Sequence, residues 1–124
     1  MKAWFTKIVN NGGATLTREL KSANYATGWQ VSKQDLFTIP METLPRNKQG
    51  GIATVRVKNM IADIAKTHIK SKQEFLGLWV DNGKLYIDKS VRTKTKKEAM
   101  QIARENKQLA IFEWATSSSV MVEG

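Results

Sequence analysis

Residues able to carry acid–base, nucleophilic or metal chemistry are scarce in this chain, while basic residues are abundant. His68 is the single histidine and cysteine is absent. A general base works with a second titratable group within reach, and no spacing in the sequence supplies one for His68, which reads as a part-buried structural residue. Zinc sites draw on Cys and His, so metal binding would fall to carboxylates, and no spaced carboxylate cluster occurs. The glycines of Asn11-Gly12-Gly13 and Lys48-Gln49-Gly50-Gly51 read as hairpin or loop residues. Neither stretch matches a phosphate-binding loop, a dinucleotide fingerprint or a nucleophile elbow. Thr116, Ser117, Ser118 and Ser119 read as a turn. The expectation is a protein without enzymatic activity, metal or cofactor.

The basic residues have more pattern. Between positions 84 and 97 stand Lys84, Lys89, Arg92, Lys94, Lys96 and Lys97, against one carboxylate, Asp88. Lys96 and Lys97 fall in the first turn of a helix, where cations oppose the macrodipole at a cost of a few tenths of a kcal/mol. The free amides of that turn and the two lysines together would cradle a phosphate. Lys66, Lys70 and Lys72 extend the basic set. The bland alternative is a solvated connector with ordinary lysines.

The formal charge is +9, from 20 Lys and Arg against 11 Asp and Glu. Such an excess bears on partners and not on fold. It points to nucleic acid, a nucleoprotein or an acidic protein surface, or else to solubilising charge alone. The start, MKAWFTKIVNNGG, has no apolar signal core, and no run approaches the roughly 20 apolar residues of a membrane span. A soluble intracellular protein with no membrane partner is expected. The length suits one domain, residues 1–124.

The most legible element sits just before the basic run. Asn82-Gly83 between two apolar runs is a type I′ hairpin signal, because both central residues need φ > 0. Counting outward pairs Asp81 with Lys84, Val80 with Leu85, Trp79 with Tyr86, and Leu78 with Ile87. Alternation then gives one aliphatic face, Leu78, Val80, Leu85 and Ile87. Trp79 and Tyr86 share the other face, beside an Asp81/Lys84 ion pair, with Gly77 relieving crowding at the indole. If that face is open, the two rings can stack on bases or anchor a protein interface; if a helix covers it, they are core, the reading favoured because four tryptophans in one small domain cannot all be anchors.

The remaining elements follow from period and punctuation. Residues 3–9 (AWFTKIV) read as a strand, residues 10–13 as a turn and residues 14–17 as a short returning strand. Residues 19–27 read as a loop. Residues 28–32 form another strand, with Trp29 and Val31 on one face. Both prolines fall in residues 34–46, giving an extended connector or an edge. A helix over residues 54–70 carries Val57, Ile61, Ile64 and His68 at helical spacing, with Thr54 or a neighbour as its cap. Thr95-Lys-Lys-Glu98 has the form of a capping box and opens a second helix with Ala99, Ile102 and Ala103 inward and Asn106 as its stop. Residues 109–114 form a strand, and residues 120–122 can pair back. The sum is an α+β domain, a mostly antiparallel sheet of hairpins with two helices packed on one face.

The hairpin residues Gly77, Trp79, Val80, Asp81, Gly83, Tyr86 and Asp88, followed by Glu98, Ala99, Asn106, Gln108, Ala110 and Ile111, resemble a group of small proteins encoded by bacteriophages and prophages. Those proteins share a Gly-x-Trp-Val-Asp-x-Gly-x-x-Tyr-x-Asp hairpin, a Glu-Ala helix and an Asn-x-Gln-x-Ala-Ile strand. Residues 27–32 are similar to a second segment of theirs. The likeness covers roughly the last two-fifths well and the first part loosely. The group has no assigned activity, so the resemblance implies phage or prophage origin and the cytoplasm of a host cell, not a mechanism. This chain is Lys-rich between Arg92 and Lys97, where the others tend to be acidic. The expected function is therefore a non-enzymatic accessory protein that binds nucleic acid or a nucleoprotein through its basic surface. A host-defence inhibitor of CRISPR type is one version. The alternative is a virion or DNA-packaging component acting through protein contacts.

Overall fold

A computed structural model describes residues 13–122. The strand and turn expected over residues 3–12 lie outside that range. Six strands form one antiparallel sheet: β1 (Gly13–Leu16), β2 (Trp29–Pro40), β3 (Glu74–Asp81), β4 (Lys84–Thr93), β5 (Ala110–Glu113) and β6 (Ser118–Met121). Their spatial order is β1-β3-β4-β2-β5-β6. Helix α1 (Thr54–His68) joins β2 to β3 and helix α2 (Lys96–Glu105) joins β4 to β5.

The β3–β4 hairpin has the expected register, with Asp81 opposite Lys84, Val80 opposite Leu85, Trp79 opposite Tyr86 and Leu78 opposite Ile87. Asn82 (φ 51°) and Gly83 (φ 75°) take the left-handed conformations that a type I′ turn requires. Two details differ from expectation. Asp81 and Lys84 face each other without pairing; the ion pairs formed among the described residues converge on Glu74. Gly77 makes room for a carboxylate and not for the indole, since a Cβ built there would overlap the Asp88 side chain.

Register places Ala14, Leu16, Val31, Ile39, Leu76, Leu78, Leu85, Ile87, Val91 and Ile111 on one side of the sheet. Both helices pack there, each on its own apolar cluster. Val57, Ile61 and Ala65 of α1 pack with Leu16, Leu76, Leu78, Leu85 and Ile87. Ala99, Met100 and Ala103 of α2 pack with Val31 and Ile111. Between the clusters stands Glu74, with Lys33 Nζ at 3.7 Å and Lys89 Nζ at 3.9 Å. The Lys70 amide, donating at 2.9 Å, holds the Glu74 carboxyl below its ordinary range, helped by the two ammoniums and opposed by its partial burial.

β2 is longer than the sequence suggests. It continues to Pro40 through the stretch read as an extended connector or an edge, with bulges between Ser32 and Gln34 and between Asp35 and Phe37. Only Trp29 and Gln30 pair with β5, so the second half of the strand is an edge, where a terminal proline and bulges are tolerated. Helix α1 ends at His68, short of Lys70, and its N-cap is Ala53, which offers no side-chain bond. Asn106 ends α2 with φ −105°; the left-handed residue is Lys107 (φ 57°). Residues 118–121 pair back on β5 as expected.

Candidate nucleic-acid interface

The end of β4 fixes the start of α2. Thr93 is buried and its hydroxyl donates to the Thr95 carbonyl at 2.9 Å. Thr95 is the N-cap in extended conformation; its Oγ1 accepts from the Glu98 amide at 3.2 Å and donates to Glu98 Oε1 at 2.9 Å. Half of the expected capping box is thus present: the hydroxyl caps the Glu98 amide, while the glutamate accepts from that hydroxyl in place of the Thr95 amide. Small inward side chains, Ala99 and Ala103, seat the helix close to β2.

This seating turns Lys96 and Lys97 outward. With Met100 and Arg104 they line a groove of roughly 360 Å³, and Lys94 is exposed in the connector just before it. Lys97, Met100 and Arg104 follow one ridge at spacings of three and four. Glu98, Gln101 and Glu105 occupy the neighbouring ridge, where the Gln101 amide donates to Glu105 Oε1 at 3.2 Å. Acidic and basic residues of α2 are therefore sorted to different flanks. Lys96 Nζ lies 6.0 Å from the centre of the Trp29 ring, at the outer limit of a cation–π contact.

The expected amide cradle is reduced. The Glu98 amide is occupied by Thr95, and the Glu98 carboxylate already brings negative charge to the helix start. An anion would meet side-chain cations here more than backbone donors.

The other basic residues do not join this cluster. Lys89 lies on the helix side, paired with Glu74. Arg92 is on the opposite side, where Nη2 and Nε donate to the Thr27 carbonyl at 2.7 and 3.2 Å and the guanidinium lies 4.3 Å from the Tyr25 ring centre. It is a strut for the chain entering β2, where Gly28 takes φ 94° against the Thr93 carbonyl. Lys84 is at the hairpin turn, about 30 Å from the end of β4 by strand rise. Lys66, Lys70 and Lys72 are exposed around the end of α1. There Lys70 Nζ and Arg18 Nη2 both donate to the Lys66 carbonyl, at 3.3 and 3.4 Å. They form a second basic group.

Trp79 and Tyr86 stack on each other with ring centres 4.5 Å apart and an interplanar angle of 19°. They lie on the side opposite the helices, and Trp79 is 44% exposed. That face is open at the hairpin. Further along the same face the loop before β2 covers it through Tyr25, which meets Phe75 and Trp114 edge-on.

Arg104 and Met100 escaped the sequence reading of the site, although Arg104 falls seven residues after Lys97, two turns on the same flank. A buried polar strip also escaped it. Trp114 Nε1 donates to Gln30 Oε1 at 3.2 Å, and Gln30 Nε2 donates to Ser90 Oγ at 2.9 Å. Next along the strip Asp88 stands opposite Asp35 in register. Burial, then the like charge of Asp35, raises the Asp88 carboxyl from 3.8 to about 7. The Ser32 hydroxyl faces it and opposes the shift, but closes no hydrogen bond of full geometry, so its effect is the smallest of the three. His68 meets the Phe37 ring edge-on at 5.9 Å. Among the described residues no group of three potential metal ligands occurs and no helix is long and apolar enough to cross a membrane.

Fold and site together define a single-sheet α+β domain with a basic groove on one helix. Compared with known protein families, curated proteins and solved structures, the chain matches none.

Proposed function

We propose that this chain is a non-enzymatic accessory protein, of phage or prophage origin, that binds nucleic acid or a nucleoprotein through the phosphate backbone. The observation that carries this reading is that Lys96, Lys97 and Arg104 line one groove on α2, with Lys94 exposed in the connector that leads into it, in a chain of net charge +9. Sorting Glu98 and Glu105 to another ridge leaves this flank positive, which favours a polyanion and speeds its encounter. Contacts of this kind go to phosphates and read no sequence. The second basic group at Lys66, Lys70 and Lys72 extends the reach along a longer strand. Inhibition of a host-defence nucleoprotein, by occupying its nucleic-acid-facing surface, is one use of such a domain in a host cytoplasm.

The alternative, a virion or packaging component, is favoured by a different feature, the exposed Trp79 stacked on Tyr86, since aromatic anchors dominate protein interfaces. Binding of a short labelled duplex and a single strand across a salt series separates the two. Affinity that falls with salt and is lost in Lys94→Glu/Lys96→Glu/Lys97→Glu supports the groove. Unchanged affinity in that variant refutes the location, and no binding at low salt refutes the function.

A further inference from the structure

An exposed strand edge is an open template for another chain, and native sheets protect such edges with bulges, charges, proline or a covering loop. In this sheet two of three edges are protected. Outside β1, the Ala23 amide donates to the Thr15 carbonyl at 2.8 Å and Ser22 bridges Leu16, so a loop closes that side. The free half of β2 carries two bulges, Lys33, Asp35 and Pro40. The outer edge of β6, short at four residues, carries no bulge, charge, proline or covering loop among the described residues. Residues 114–122 (WATSSSVMV) contain no charge and no proline, and Leu109 and Met121 beside them are 77% and 66% exposed.

The hydrogen-bond phase shows which groups that edge offers. The Val122 amide donates to the Leu109 carbonyl at 2.8 Å, so Leu109/Val122 is a hydrogen-bonded pair. Such pairs alternate along an antiparallel ladder, which makes Ile111/Val120 and Glu113/Ser118 hydrogen-bonded and leaves Ser119 and Met121 pointing their N–H and C=O groups outward.

From this we infer that β6 pairs with β6 of a second copy of the chain, across a twofold axis through Val120. Antiparallel pairing centred there sets Ser119 opposite Met121 of the other copy and Met121 opposite its Ser119. Each of these is a hydrogen-bonded pair, so four backbone hydrogen bonds close the contact, with the two Val120 side chains adjacent between them. The outward groups are symmetric about Val120, as an isologous contact demands. A second copy fits as the partner because this stretch carries no charge, so two chains of charge +9 meet along it without setting like charges against each other. An acidic or basic partner would find nothing on this edge to pair with.

Sedimentation over a wide concentration range, at low and high salt, tests this. The expected mass rises from 14.0 kDa toward twice that value with concentration, and more readily at high salt, where the mutual repulsion is screened. Nucleic-acid binding has the opposite salt dependence, so the two readings fail separately. Ser119→Pro removes the outward N–H and spares the β5–β6 ladder; it should weaken association about tenfold or more, two hydrogen bonds being lost per dimer. Met121→Lys, at an exposed position, should weaken it by adding charge to the edge. A monomer at every concentration and salt overturns the inference. So does a dimer that both variants leave unchanged while their circular dichroism stays native.

Discussion

Replacing Asp88 by Asn should stabilise this protein at neutral and alkaline pH and leave it unchanged in acid. The carboxyl is raised from 3.8 to about 7 by burial and by Asp35. Between those values the native state keeps a proton that the unfolded chain releases, so stability falls as pH rises through the window. The shift is roughly 3 pH units at 1.36 kcal/mol each, on the order of 4 kcal/mol at pH 8 for the fully developed effect. Asparagine has the same shape and no charge, so it removes this term. Groups that do not face Asp88, Glu74 included, contribute equally to both proteins and cancel in the difference, while the Asp35–Asp88 repulsion is part of the effect being read. Urea unfolding of wild type and Asp88→Asn at intervals from pH 4 to pH 8 reads it directly. The two curves should coincide near pH 4 and separate steadily above it, with the variant the more stable. Parallel curves, or a variant destabilised at pH 8, would refute a buried carboxylate held against its charge.

Other consequences follow from single contacts. Gly77→Ala should destabilise by about 1–3 kcal/mol, the usual range for overpacking, because the new Cβ overlaps the Asp88 carboxylate; thermal melting checks it, and a neutral result would show that Asp88 is free to move aside. Thr95→Ala should cost about 1 kcal/mol of stability through loss of the cap on the Glu98 amide. Amide exchange should then rise selectively in the first turn of α2, and a rise spread evenly over the chain would contradict a local role.

The hairpin was legible because its signals agree. Asn82-Gly83 admits one turn type, and an aliphatic face with an aromatic face behind it admits one register. Helix α2 was legible for the same reason, Thr95 and Glu98 marking its start and alanines its inner side. What the sequence hid was decided by distant partners. β2 runs on past Ser32 because β4 is long enough to pair with it, and its bulges break the alternation that would have revealed a strand. Arg92 reads like its neighbours Lys94 and Lys96, yet the chain before β2 folds back onto it. Lys89 is likewise taken by Glu74, fifteen residues earlier and on the adjacent strand. Asp88 looked like the one acid diluting a basic run, and its partner Asp35 sits in a stretch that seemed a connector. Of the basic residues singled out, Lys96 and Lys97 are brought together in the groove, which Arg104 also lines, and Lys94 is exposed in the connector before them.

The direct test of the groove is the salt dependence of binding to duplex DNA, read as the slope of log affinity against log salt. Four side-chain cations on phosphates correspond to a slope of about −3 to −4. Lys94→Glu/Lys96→Glu/Lys97→Glu removes three of them and lowers the formal charge from +9 by three times two. The expected result is a steep slope for the wild type and binding lost in the variant at every salt concentration. A flat slope, or equal slopes in the two proteins, would contradict the groove as a phosphate-binding surface.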